Sequence, residues 1–388
     1  MKEMGQEKSG QQYLLLAIVT LFWFAQYVYI PFQTPYLTGI QVSASMIGSI
    51  IGAYGVTQML VRFPVGIMAD RKGKHKGFIF LGAFLAACAS AIRIGVPTGG
   101  GFFAANLLSG CGSSMWISYM VMYTGMFSAE EQQKATSRMI LFNNLGIFLA
   151  FGSGTLCYDH FGMNFLCLLS MAAGAAGAIL ALFLKEKTPV HSPNTSVGQL
   201  VRVCKNRRLL LFAGLALVQQ GIQMSTTMSF TTQILEDLGA GSQLIGFSSV
   251  FYMLSSVFFA WLAARPFCTK NGPRLWVPIV FLAIALYCVV VGEVGNIWVI
   301  LLFQILPGMS SGILFSYLTS EAMQEIPVRQ KSTAMGFFQA VYAIGMTGLP
   351  LFTGQITDRL SVMAAYRGLA LIAVAAMIVS LAFYRSEE

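Results

Sequence analysis

Gly66-Ile67-Met68-Ala69-Asp70-Arg71-Lys72-Gly73-Lys74-His75-Lys76 joins two long apolar runs, 45–69 before it and 77–95 after it. Each run is close to the roughly 20 residues that a helix needs to cross the hydrocarbon of a bilayer, so the stretch reads as a short charged turn between two membrane spans. Gly66 allows a neighbouring helix to come close, and Gly73 allows a tight turn. Asp70 is a lone carboxylate among basic side chains, suited to a charge-assisted hydrogen bond.

Apolar runs of the same kind recur along the chain. They fall near 13–37, 45–69, 77–95, 101–127, 138–158 and 163–184, then near 208–235, 243–264, 275–292, 297–320, 332–357 and 366–384. The expected fold is an all-α membrane protein of about twelve transmembrane helices. Composition agrees: of 388 residues 56% are hydrophobic and only 10% charged, against about 25% charged in an ordinary soluble domain. Such a chain cannot cover a water-facing surface, and lipid is its expected solvent. The loops are too short for a folded soluble domain. The first run is too long for a cleaved signal peptide, lacks a small-x-small cleavage site, and is followed by further spans.

The net charge of +9 follows from topology. With the N-terminus placed inside, every one of the 24 lysines and arginines except Arg62, Arg93, Arg359 and Arg367 falls in an inside segment, as the positive-inside rule requires. Both termini are then cytoplasmic, and the expected location is the cytoplasmic (inner) membrane, multi-pass. The basic residues form no single patch, so nucleic acid is not an expected partner. The seven cysteines include no CxxC pair, and no Cys/His spacing suits a metal. Neither a metal nor a cofactor is expected.

The polar stretch 185–207, with Pro189 and Pro193, divides six spans from six. The expected organisation is an N-terminal half over 1–184, a cytoplasmic linker over 185–207 and a C-terminal half over 208–388. Weak repeats tie the halves together. Ser45-Met46-Ile47-Gly48 opens span two as Gln243-Leu244-Ile245-Gly246 opens span eight, with Tyr54 and Tyr252 following at the same distance. Lys134-Ala135-Thr136-Ser137 precedes span five as Lys331-Ser332-Thr333-Ala334 precedes span eleven. Parallel half-repeats of this kind are a transporter architecture in which solute binds between the halves and the halves rock.

The turn quoted above resembles the loop 2–3 signature of the major facilitator superfamily, G-x-x-x-D-R-x-G-R/K-x-K/R, and it follows an even-numbered span on the inside as that family requires. The resemblance implies a cytoplasmic gate in which Asp70, Arg71 and Lys74, spaced by Gly66 and Gly73, latch the halves while the protein opens outward. The other reading is a solvated positive loop. The second half departs from the signature: Ala264-Arg265-Pro266-Phe267-Cys268-Thr269-Lys270-Asn271-Gly272 has no aspartate in the matching place, so a latch would be one-sided. Asn106 stands where many proton-coupled members carry a span-four arginine. Span five has Gly146, Gly152 and Gly154 but lacks the Gly-Pro pair of drug/proton antiporters.

In the superfamily spans one, four, seven and ten surround the substrate. On span one Gln26, Tyr29, Gln33 and Tyr36 share a helical face, and on span seven Gln219, Gln223, Thr226, Phe230 and Gln233 do so. Amides are costly in lipid, so both stripes should face protein or water, either as substrate contacts or as interhelical hydrogen bonding. Span four adds Asn106, Ser109, Ser113, Trp116, Tyr119 and Tyr123, span ten adds Gln304, Ser311 and Tyr317, with Pro307 and Gly308 expected to bend it, and Asn143 and Asn144 on span five and Gln339 and Tyr342 on span eleven could also reach the cavity. Arg62 is expected to snorkel toward the inner interface, and no ionisable group looks central.

The sequence therefore points to a secondary active transporter of a small neutral, zwitterionic or amphiphilic organic solute, or alternatively an efflux pump or a lipid or amphiphile flippase on the same fold. A proton or ion as coupling partner is left open, and a monomer is expected. There is no Walker A, HExxH or GxSxG motif, which argues against autonomous ATP-driven transport and against an enzyme. The half-repeat argues against a channel.

Overall fold

The computed structural model describes residues 2–42, 44–128, 131–186 and 197–386. Pro189 and Pro193, and the side chains of Ser45, Ile47, Gly48 and Gln233, lie outside the described residues. The described chain is helical with no strand. Ten stretches are long and apolar enough to cross a membrane. One of them belongs to Gln132–Ala181, a 50-residue helical run that breaks at Gly162 (φ 70°) and supplies spans five and six. Span four is Gly99–Ser114 continued by Trp116–Thr124 after a step at Met115. Twelve spans result.

Span one runs through Lys2–Tyr27 and Ile30–Gly39, span two is Ala44–Lys72 and span three Lys76–Gly95. In the second half span seven begins as Arg207–Ser225 and ends as Thr231–Asp237, followed by span eight, Ser242–Ala263. Pro266–Glu293 holds span nine, and span ten covers Ile297–Met323 in pieces. Lys331–Arg359 is span eleven and Val362–Ser386 span twelve.

Four of the helices around the centre are interrupted, span four by the step at Met115. Span one breaks at Val28 and Tyr29. Spans seven and ten each widen into a π-turn, at Thr226–Phe230 and Ser310–Leu314. In span ten Pro307 lies just before its π-turn, where its missing N–H and its ring disturb the α-helical ladder. A π-turn frees backbone groups and redirects side chains, and it commonly marks a working region.

The halves meet along two seams, span two against span eleven and span five against span eight. Small residues make these contacts close. A Cβ on Gly66 would lie 2.4 Å from the Ser332 carbonyl oxygen, and one on Gly336 would lie 2.8 Å from that of Arg62. Helix association in lipid rests on such packing, because lipid gives no hydrophobic drive between helices.

Candidate functional site: the seam and the central cavity

The basic end of span two is held by the opposite half. Asp70 is 8% exposed. Its Oδ1 accepts the Ser332 N–H at 3.0 Å, and its Oδ2 accepts the Thr333 N–H at 2.6 Å and the Thr333 hydroxyl at 2.7 Å. Span eleven starts at Lys331, so the carboxylate sits on the first free N–H groups of that helix, where both hydrogen bonding and the helix dipole favour a negative charge. Gly66, one turn earlier, removes the side chain that would hold the two helices apart. Gly73 turns the chain out of span two at φ 59° and donates its N–H to Ala69 O at 2.8 Å.

Arg71 and Lys74 are exposed and, among the described residues, contact no partner in the latch. The N-terminus of span eleven puts positive charge against Asp70, a contact that a motif reading based on side chains does not contain. The seam continues with Ser137 and Ser316 hydroxyls 2.8 Å apart and with Lys331 Nζ donating to Gln132 Oε1 at 3.1 Å. At the start of span five, where span eight offers no aspartate, no side chain among the described residues caps the helix.

Midway along the spans the seam opens into a cavity lined from both halves, including Trp23 and Tyr27 of span one, Tyr54, Gln58 and Arg62 of span two, and Trp116 of span four. Asn143 and Asn144, Gln220 and Gln223, Tyr252, Ser311 and Tyr342 face it from spans five, seven, eight, ten and eleven. Its free volume is about 60 Å³, room for roughly four to six waters. Beyond it the halves touch again: Gln243 Nε2 donates to Asp159 Oδ2 at 3.4 Å.

Of the residues singled out from sequence, Trp116 and Gln223 line this cavity, and so do Asn143, Asn144, Ser311 and Tyr342. Gln223 donates to the Tyr252 hydroxyl and accepts from Gln219 at 2.9 Å, and Gln219 also donates to Ser310 Oγ at 3.0 Å. Gln219 is therefore a strut between spans seven and ten. Thr226 bonds back to Ile222 O at 2.8 Å, and Phe230 packs beside Gly354. Gln304 donates to Ser248 Oγ at 3.0 Å, and Tyr317 to Cys268 O at 2.8 Å. Tyr119 stacks on Phe22 and donates to Ile79 O at 3.0 Å.

The span-one stripe faces its own half. Gln26 Nε2 donates to Ser109 O at 3.2 Å, Gln33 is buried at 3% exposure, and the Tyr29 ring lies 4.0 Å from the Arg93 guanidinium. Asn106 accepts from Arg93 at 2.7 Å and donates to Ile50 O at 2.9 Å. Gln26 and Asn106 thus bond within the six-helix half, while the amide oxygens of Gln26 and Gln33 are buried without a partner among the described residues. The cavity takes the adjacent face of span one, Trp23 and Tyr27.

Arg62 departs from expectation most. It does not snorkel: it is 2% exposed, it lines the cavity, its Nη1 donates to Gln339 O at 3.3 Å, and its guanidinium lies 4.8 Å from the Tyr342 ring. A charge is central after all. Snorkelling fails because span eleven is packed against this face, through Gly336, and separates the side chain from lipid. The signal was present in sequence: Tyr54, Gln58 and Arg62 recur at steps of four and share one helical face.

Known proteins resemble this chain over most of its length. The sequence matches the Major Facilitator Superfamily over residues 15–346 and, in a second match, 215–388. It is 22% identical over 340 residues to Multidrug resistance protein D of Escherichia coli, covering 81% of each chain. It is 22% identical to the inner membrane transport protein YajR of the same organism, covering 85% of this chain and 73% of that one. In structure it is similar to the human organic anion transporter MFSD10 (TM-score 0.79, 15% identity, 96% of this chain and 99% of that one) and to the fucose:proton symporter FucP of E. coli (TM-score 0.75, 15% identity, 95% and 97%). With twelve spans, two seams and a central cavity already in place, these matches identify the chain as a member of the Major Facilitator Superfamily of transporters.

Proposed function

We propose that the protein is a secondary active transporter that carries a small organic solute across the cytoplasmic membrane by alternating access. The observation that carries this reading is the central cavity, lined from both halves and closed toward the basic face by Asp70 on span eleven. In this reading the six-helix halves 1–184 and 208–388 rock about the cavity, and 185–207 links them. The basic face and both termini are cytoplasmic, and the working unit is a monomer. Trp116, Gln223 and the flanking aromatic rings contact the solute, and the latch, with Gly66 and Gly73 shaping it, closes the cytoplasmic side. No Asp, Glu or His lines the cavity among the described residues, so a coupling proton would have to be bound elsewhere or by the solute.

Spin labels test this without knowledge of the solute. One pair is placed at Lys74 and Arg329 on the basic face, another at Ile40 and Glu236 on the opposite face. All four positions are exposed, and each pair spans the two halves. Electron–electron double resonance should show that any condition lengthening one distance shortens the other. Distances that stay fixed, or that lengthen together, would rule the mechanism out.

Export is supported by the aromatic and Met-rich wall, Trp23, Trp116, Met228 and Met346, since thioethers adapt to varied apolar shapes. The relative named for multidrug resistance supports it too. Expression in a sensitive strain should then raise tolerance to amphiphilic compounds, and an unchanged tolerance profile together with accumulation of an added solute would favour uptake.

A further inference from the structure

We propose that Arg62 and Gln58 form an oxyanion site at the centre of the membrane, so that the solute carries a carboxylate or a like oxyanion on an apolar or aromatic body. This rests on the transporter reading and narrows it: the solute is an organic anion or a zwitterion.

Arginine stays protonated wherever it is placed, and an ionisable side chain at membrane depth marks a functional route by default. Arg62 is 2% exposed, and among the described residues it forms no ion pair. Its Nη1 has one carbonyl, on Gln339, and its Nε has no hydrogen-bond partner. Gln58 lies one turn away on the same face, is 1% exposed, and neither its amide nitrogen nor its amide oxygen has a partner. Both residues line the cavity. Unpartnered N–H groups from a guanidinium and an amide on one helical face suit a carboxylate, which accepts hydrogen bonds through both oxygens. The indole N–H of Trp23 on the same cavity is also unpartnered, and its ring packs edge-on against Trp116 at 5.2 Å, giving a wall for the solute body.

The second buried arginine shows the contrast. Arg93 donates to Asn106 at 2.7 Å, Ser109 at 3.0 Å and Ser90 at 3.2 Å, lies over Tyr29, and does not line the cavity. Its Nε, like that of Arg62, has no partner among the described residues, but three side-chain oxygens of its own half accept from its terminal nitrogens. The neighbours of Arg62 leave it facing the cavity, where a cationic solute would be repelled and a neutral one would leave the charge uncompensated.

The test uses the purified full-length chain with matched acid and amide pairs, acetate with acetamide, benzoate with benzamide, and phenylacetate with phenylacetamide. Binding is read by thermal shift and by titration calorimetry. At least one acid should bind tenfold or more tightly than its amide. Arg62→Gln should remove that preference by weakening the acid roughly tenfold to a hundredfold, the loss expected for hydrogen bonds to a charged group, and Arg62→Lys should retain part of it. Gln58→Glu supplies the carboxylate from within the chain: it should raise the melting temperature without ligand and abolish acid binding. Acids and amides binding alike or not at all, an acid preference surviving Arg62→Gln, or a Gln58→Glu protein no more stable than the parent would each overturn the proposal. The spin-label distances keep the two readings apart. Reciprocal motion without an acid preference removes the oxyanion site and leaves the transporter, whereas fixed distances remove the transporter reading itself.

Discussion

Replacing Asp70 by asparagine perturbs the seam with almost no change of shape. The carboxylate accepts three hydrogen bonds, two of them from the first N–H groups of span eleven. The amide can accept through its oxygen alone, and its NH2 group would meet another donor. The change removes at least one charge-assisted bond, worth about 1.5–3 kcal/mol, and the attraction between a carboxylate and a helix N-terminus, about 0.3–1 kcal/mol. A total near 2–4 kcal/mol is lost only where the basic face is closed. At 1.4 kcal/mol per decade the ratio of closed to open molecules falls by about thirtyfold to several hundredfold. Labels at Lys74 and Arg329 should then report a long-distance population that is minor in the parent and dominant in Asp70→Asn, while the Ile40 and Glu236 pair shortens. An unaltered distribution in a folded Asp70→Asn protein would show that the three hydrogen bonds do not set this equilibrium.

Three further outcomes are expected. Gly66→Ala places a Cβ 2.4 Å from the Ser332 carbonyl oxygen, a strain of about 1–3 kcal/mol that should open the same face as Asp70→Asn; unchanged label distances would contradict it. Gln219→Ala strands Ser310 and one acceptor of Gln223 and should cost about 1–3 kcal/mol in stability with solute affinity little altered, whereas Gln223→Ala should lower affinity roughly threefold to tenfold; thermal melts and binding isotherms on both variants separate the cases. Single cysteines at Lys270 and Thr98, in a background without the native cysteines, should react with an impermeant maleimide from the cytoplasmic and the external side respectively, and the reverse pattern would invert the topology.

Much of the fold is legible in sequence because lipid imposes a simple rule: apolar length sets the spans. The Gln132–Ala181 run shows the limit of counting helices, since only a glycine at positive φ separates spans five and six. Along the loop, Gly66 and Asp70 meet the opposite half at the place the motif implies, while Arg71 and Lys74 lie outside the contact because a helix N-terminus supplies the positive end. The cavity is less legible in sequence. Periodicity shows which residues share a face but not which neighbour that face meets, and on span one the amides Gln26 and Gln33 turn into their own half while Trp23 and Tyr27 turn to the centre. Arg62 lies away from its expected place for a related reason. An arginine two turns from a helix end can reach water only if its path is open, and span eleven, which closes that path, lies far away in sequence.

The most direct measurement joins the seam to the cavity. Ser137 and Ser316 place their hydroxyls 2.8 Å apart across the halves, a close approach at which a cysteine pair can be tested for cross-linking. In a background without native cysteines, Ser137→Cys with Ser316→Cys locks the basic face when oxidised, and a third cysteine at the cavity residue Gln220 reports access to an impermeant maleimide in membranes of known sidedness. Alternating access predicts that the oxidised protein is labelled at position 220 from the external side alone, and that reduction restores labelling from the cytoplasmic side. Cytoplasmic labelling that persists with the disulfide formed would contradict a cavity gated by this seam.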